Sequence, residues 1–506
     1  MPPPRFQSKP KKKKVPEPVT AEEWFDKGVE DEENGERWRS GDKVKSGRWF
    51  HKALEAYETS LRLSPLRPNF DAAYNAAHIQ YVLASSAAYH EDGLTRDEHL
   101  RLLKRAVECH IRAMALEDKM SEAEKKKCNW QDLFFNAGQC MTEYAEKLQG
   151  SSNRIRSSDR DEIVGALGEA VTLYQRVWEI QERRVQEQGS LESLQGNGED
   201  DNSPIAGPSQ PQQSPGSENG SDSATSEWAY EDEPVTLESL VDTAIATLEA
   251  LIIRVQVIPQ SDTPLEDLTS IRELSTNLLN TRIIPLATRA PHLSSKVLLV
   301  RARYATAQAE AAFRLSTISL AEYEQEILAH FSDTPLPDRP SSSGLDFKDI
   351  ETLCEKADAH IAFAGIVVES NEVDHQLAWK HYNLASLSLT AAAGVNKYDP
   401  QVQLGRGDVE LLRSKVNIPA AQKSVDLLRS NARVYYRNTK NLASPESEPG
   451  LVLEASVKEA MLAYESGDGS LIKAVGNGGR VKVVVAEAVS EGLFGMEWLQ
   501  RFGIGG

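Results

Sequence analysis

Apolar residues recur at intervals of three and four along most of the chain, the period of a helix with one buried face. Three stretches carry a finer pattern. In residues 47–65, GRWFHKALEAYETSLRLSP, the residues Ala53, Tyr57 and Ser60 stand at offsets of zero, four and seven, and Pro65 closes the run. Residues 101–118 repeat those offsets with Ala106, His110 and Ala113, and residues 165–181 repeat them with Ala170, Tyr174 and Val177. The spacing puts all three positions on one helix face. Small residues there let a second backbone approach, while the ring one turn on fills the groove between the helices. Each stretch is therefore predicted to be a helix that docks on another.

An earlier helix precedes each one: AEEWFDKG with Trp24 and Gly28, DAAYNAAHIQYVLA with Tyr74 and Ala77, and LFFNAGQCMTEYA with Phe134, Phe135 and Gly138. An aromatic shortly before a small residue, followed by the small-aromatic-small helix and a closing proline, resembles the tetratricopeptide repeat. In the first unit Trp24, Gly28, Ala53, Tyr57 and Pro65 carry the resemblance, with Lys27 and Asp31 where that pattern has Leu and Tyr. Between the two helices of each unit lie extra residues, ENGERWRSGDKVK, SSAAYHEDGLTRDEH and the SSNRIRSSDRDE region, which either lengthen the helices or form loops. The resemblance spans roughly residues 20–185. It implies an all-α superhelix of antiparallel helix pairs, an α-solenoid with a concave inner wall that binds protein.

The second half reads as helical too, in seven apolar-periodic stretches from VTLESLVDTAIATLEALIIRV to AAQKSVDLLRSNARVYYRN. HYNLA echoes the AYNAA of residues 73–77, a hint that the superhelix resumes. Pro285, Pro335, Pro337, Gly394 and Pro419 punctuate these helices. RVKVVV, residues 480–485, alternates like a strand, although AEAVSEGL after it continues more readily as a helix. The organisation is a basic tail over 1–19, tetratricopeptide-like repeats over 20–189, an acidic linker over 190–233, and a second helical region with a terminal cap over 234–506. The linker is rich in Ser, Gly, Pro and Asn and has no Lys or Arg. Its composition predicts disorder, because it buries too little apolar surface to offset the entropy of ordering.

Charge narrows the partners. Acidic residues number 76 against 57 basic, a formal charge of -19, which disfavours direct nucleic-acid contact and favours a basic protein partner. Residues Lys11, Lys12, Lys13 and Lys14 look like a single-cluster nuclear import signal recognised by an acidic carrier; a solvated tail or an RNA contact is the alternative. The expected location is cytoplasmic, nuclear or both. The longest apolar run, Leu240 to Ile258, contains Asp242, Glu249 and Arg254, so a buried helix is expected there and no membrane span.

Catalytic and metal chemistry finds no pattern. His375 and His381 are six apart, not one helical turn, and the four cysteines have no Cys-x-x-Cys spacing. Gly476-Asn-Gly-Gly479 lacks the Lys-Ser/Thr of a phosphate loop, and Arg406-Gly407-Asp408 is an adhesion tripeptide in spelling alone. No cofactor, metal or enzyme activity is expected. Proteins of the resembling family that grip heat-shock chaperone tails do so through inner-face Lys, Arg and Asn. The matching positions are Phe25 and Val29, Asn75, and Asp132 and Asn136, so that partner is not expected. The functional expectation is a non-enzymatic scaffold, a chaperone or assembly factor for a basic client of ribosomal or histone type. The alternative is an adaptor subunit of a larger complex.

Overall fold

The computed structural model describes residues 17–65, 68–86, 89–90, 94, 96–125, 128–150, 156–195, 235–331, 347–370, 374–445 and 448–504. The import-like lysines 11–14, Pro335, Pro337 and nearly all of the acidic linker lie outside them. Among the described residues there is no strand. The helices run in chain order as α1 (Ala21–Trp38), α2 (Lys43–Leu63), α3 (Phe70–Ser85), α4 (Arg96–Met114), α5 (Glu122–Lys125), α6 (Trp130–Gln149), α7 (Ser157–Gln195), α8 (Leu237–Val257), α9 (Pro264–Leu278) and α10 (Ile284–Arg289). They continue as α11 (Ser294–Arg314), α12 (Leu320–Phe331), α13 (Ile350–Glu369), α14 (His375–Val395), α15 (Pro400–Lys415), α16 (Pro419–Leu442), α17 (Pro449–Glu465), α18 (Ser470–Val475), α19 (Gly479–Ser490) and α20 (Glu497–Arg501).

Local chemistry starts and stops these helices. Thr20 and Glu23 form a reciprocal capping box at α1, and Asn69, Asp349, Asp374 and Asp399 accept from backbone N–H groups at the starts of α3, α13, α14 and α15. Proline occupies the first turn of α15, α16 and α17, where its missing N–H has no intrahelical partner to lose. Pro285 differs from its expected role as a boundary. The helix runs on past it by opening a π turn over Leu279–Ile283, which makes room for a ring that would collide with a carbonyl one regular turn back. RVKVVV is helical, within α19, and its valines Val481, Val484 and Val485 are buried.

The helices pair as antiparallel neighbours, α1 with α2, α3 with α4, α6 with α7, α13 with α14, and α15 with α16, whereas α8 with α11 and α17 with α19 run in the same direction, as the contacts Glu238–His292 then Glu249–Arg303, and Lys458–Glu491 then Glu465–Trp498, show. Each pair packs on the next through α2–α3, α4–α6, α7–α8, α14–α15 and α16–α17. The result is an all-helical, solenoid-like array in which contacts are dominated by chain neighbours. The extra residues within the first three units are divided between helix and loop. The first insert lengthens α1 to Trp38 and starts α2 at Lys43, whereas the second lies largely between α3 and α4.

At the C-terminal end Leu493, Phe494, Trp498 and Phe502 are buried against α17 and α19, with Met496 left exposed. The terminal aromatic cluster thus closes the core of the last pair. Among the described residues, no helix is long and apolar enough to cross a membrane. Leu240–Ile258 is the largely buried α8 and the start of the short turn after it.

Candidate functional site

Tyr57 is fully buried, and a Cβ on Gly28 would lie 2.5 Å from its ring. Gly138 stands under Tyr174 in the same way, at 2.7 Å, so in two units a bare backbone on the first helix receives the ring of the second. Ala53, Ala106, Ala113 and Ala170 are fully buried, and Ser60 donates from Oγ to the Ala21 carbonyl at 2.6 Å. Ala77 and Phe134 are buried in their pairs, while Tyr74 is half-buried between Phe70 and His78. Pro65 lies two residues beyond the end of α2. Trp24 is only half-buried, and Phe25 and Val29 are the α1 side chains that join the core around Tyr57.

A third such contact lies in the adhesion-like tripeptide. A Cβ on Gly407 would meet Tyr436 at 2.5 Å, Asp408 accepts from Tyr436 Oη at 2.9 Å, and the Arg406 guanidinium stacks over Tyr435. Gly407 and Tyr436 are separated by the same 29 positions as Gly28 and Tyr57. The offsets zero, four and seven also recur on buried residues of α11 (Val300, Tyr304, Ala307), α14 (Ala378, Tyr382, Ala385) and α16 (Ala432, Tyr436, Thr439). In α19 the set is Val481, Val485 and Ala488, with no ring.

The first helices of successive pairs lie side by side, α3 with α6, α6 with α8, and α15 with α17, and their free faces form one wall of the array. Of the positions expected on this wall, Asn75 donates to Tyr57 Oη at 3.2 Å and Asn136 donates to Tyr74 Oη at 3.1 Å. Both asparagines therefore stitch one pair to the next. Asp132 accepts from the Asn129 amide at the start of α6. Phe25 and Val29 pack inward, as described above.

Carboxylates fill the rest of the wall, and sequence reasoning missed them. Glu249 on α8 is pushed up by burial, with Glu146 on α6 and Glu351 on α13 adding repulsion against the relief supplied by Arg303. Glu355 is raised by burial and by Glu351 and Glu249. Asp358, one turn on, keeps an exposed surface but is pushed up to about 6 by desolvation from the protein around it and by Glu355, with Asp408 of α15 contributing. Asp408 is raised in turn by burial and Glu454 of α17, and Glu491 is pushed up to about 7, mainly by burial. One negative field thus passes from α6 through α8, α13, α15 and α17 to the residue after α19.

Two cations built into the fold sit in this field. Arg303 bridges Glu249 and Glu355 at 3.4 and 3.3 Å. Lys458 is almost fully buried among Glu454 at 2.7 Å, Asp408 at 3.1 Å and Glu491 at 3.4 Å, and its ammonium is held firmly protonated by those charges despite burial. Asp358 lies in the stretch between them. No single residue marks the wall in the sequence, because its acids come from several different helices.

The four cysteines are free thiols, and burial raises all four above the usual thiol range. Among the described residues no group of three or more His, Cys, Asp and Glu side chains could hold a metal ion.

The molecule is thus an all-α array of stacked helix pairs with an acidic wall. No family model matches the chain. It is similar to UPF0656 protein C926.02 of Schizosaccharomyces pombe, 23% identical over 448 residues that cover 85% of each chain. Among solved structures, a circular tandem repeat protein with novel repeat topology and enhanced subunit contact surfaces aligns over 94% of this chain and 91% of its own. That alignment has 13% identity and a TM-score of 0.28, so the fold described above rests on this chain's own helix pairing.

Proposed function

We propose that the chain is a tetratricopeptide-like, non-enzymatic scaffold whose acidic wall takes a Lys- and Arg-rich segment of a client protein, in the manner of a chaperone or assembly factor. The observation that carries this reading is the continuous carboxylate field, in which the chain's own Arg303 and Lys458 already occupy the kind of place a client's cations would take. Burial, with repulsion among the acids added, raises their pKa values, so the ionised wall is electrostatically strained. A cationic segment relieves that strain, which gives binding a driving force and a sign.

The test is a titration of the full chain with a fluorescent Lys/Arg-rich peptide at low and high salt, for the parent and for the double variant Glu355→Gln, Asp358→Asn. Affinity is expected to fall steeply with salt, and by about three- to tenfold per charge removed. Equal binding at both salt concentrations, or no effect of the double variant, overturns the reading. Should affinity purification instead recover a fixed set of neutral or acidic subunits, the chain is an adaptor within a larger complex.

A further inference from the structure

Two imidazoles that the acidic wall does not use are hydrogen-bonded to each other. His360 on α13 and His381 on α14 are both essentially unexposed, and their Nδ1 atoms meet at 3.0 Å. His381 Nε2 lies 3.1 Å from Glu324 Oε1 on α12, and the Lys380 ammonium lies 2.6 Å from the same oxygen. A carboxylate only accepts, so His381 carries its proton on Nε2. Its Nδ1 is then the acceptor, and His360 donates from Nδ1. The relay Glu324–His381–His360 therefore joins three helices while both rings are neutral.

We propose that this relay is a proton-sensitive joint: acidification loosens α12, α13 and α14 from one another while the rest of the array stays paired. The contact between the two Nδ1 atoms needs one donor and one acceptor. One extra proton is tolerated, since on His360 Nε2 it leaves the contact intact and on His381 Nδ1 it only shifts His360 to its other tautomer, but a second leaves two donors facing each other. The surroundings do not compensate the charge. Lys356 on α13 and Lys380 on α14 are cations, the single facing carboxylate is Glu324, already shared with Lys380, and Tyr323 on α12 and Tyr382 on α14 are neutral. Phe363 packs at a tilt against His381 with centroids 4.2 Å apart, and shields the ring from water.

Burial lowers both imidazoles, His360 to about 3. The unfolded segment therefore binds more protons than the folded one between about 3 and the ordinary value of 6.5, and stability falls as pH drops through that window. Elsewhere His110 on α4 is also buried and lowered to about 4, but its hydrogen bond is to the Ala106 carbonyl of its own helix and it meets α3 only through ring packing on Tyr81, which makes it the internal comparison.

Amide hydrogen exchange on the full chain, read peptide by peptide at pH 7.5 and 5.5 and corrected for intrinsic rates, tests the joint. In the parent, peptides from α12 to α14 are expected to lose tenfold or more protection at pH 5.5. In His381→Gln, whose amide keeps a donor toward Glu324 and an acceptor toward His360, that acid response is expected to shrink to the level of neighbouring helices while α3 and α4 respond as before. Unchanged protection of α12–α14 in the parent overturns the proposal, as does a full acid response in the variant. If His381→Gln does not fold at pH 7.5, imidazole NMR of the parent decides. Titration of the pair together with α12–α14 amide opening supports the joint, and titration without opening overturns it.

Discussion

Replacing Gly407 by alanine and replacing Gly365 by alanine are the same chemical change in two helix interiors, with opposite expected signs. At Gly365, in α13, the added Cβ meets nothing within 4 Å, so the change only removes backbone freedom from the unfolded chain. A gain of about 0.5–1 kcal/mol is expected. At Gly407 the added Cβ falls 2.5 and 2.7 Å from two atoms of the Tyr436 ring, against about 3.5–4 Å for ordinary carbon contact. The ring has nowhere to go. Tyr436 is unexposed, it packs with Leu404, Leu411 and Ala432, and its hydroxyl is tied to Asp408 at 2.9 Å. An overpacking cost of about 3 kcal/mol, the upper end for a rigid site, exceeds the helix-propensity gain of about 1 kcal/mol. A net loss of about 2 kcal/mol is expected. In a stacked array this loss concentrates in the affected pair, so the assay is hydrogen exchange of α15 and α16 in the full chain, with chemical denaturation as a second readout. If Gly407→Ala proves as stable as the parent, or if both variants shift in the same direction, the small-residue-under-ring account of the pairing is wrong.

Tyr57→Ala is expected to destabilise the first two pairs by about 3–5 kcal/mol in denaturant melts, since the ring is fully buried. Tyr57→Phe loses only the hydroxyl contacts to Glu32 and Asn75 and should cost about 1 kcal/mol. Lys458→Met removes the one cation among Asp408, Glu454 and Glu491 and should cost about 3–5 kcal/mol at pH 8, read as loss of protection in α17. The deficit should shrink on acidification, because Glu491, already pushed up to about 7 in the parent, takes a proton in the folded variant well before it does in the unfolded chain.

Much of the fold was legible because helix pairing leaves a local trace. Ala53, Tyr57 and Ser60 declare a packing face within eight residues, and the same offsets at Ala106 and Ala170 declare a repeat. In the second half the ring position holds Tyr304, Tyr382, Tyr436 and finally Val485, while the first-helix glycine survives only as Gly407, inside a tripeptide whose spelling suggests adhesion. There the trace is split between two helices 29 residues apart, and neither half is distinctive alone. The acidic wall was less legible for a stronger reason. Glu249, Glu355, Asp358, Asp408 and Glu454 become neighbours only when four helices stack in register, so no window of sequence contains the site. The overall charge of -19 announced a negative surface but not which acids crowd together. Burial, with crowding by Glu355 and Asp408 added, raises Asp358 to about 6, and both are properties of helix stacking. Net charge could not reveal the imidazole joint either, since His360 and His381 carry no charge while they are buried and bonded to each other.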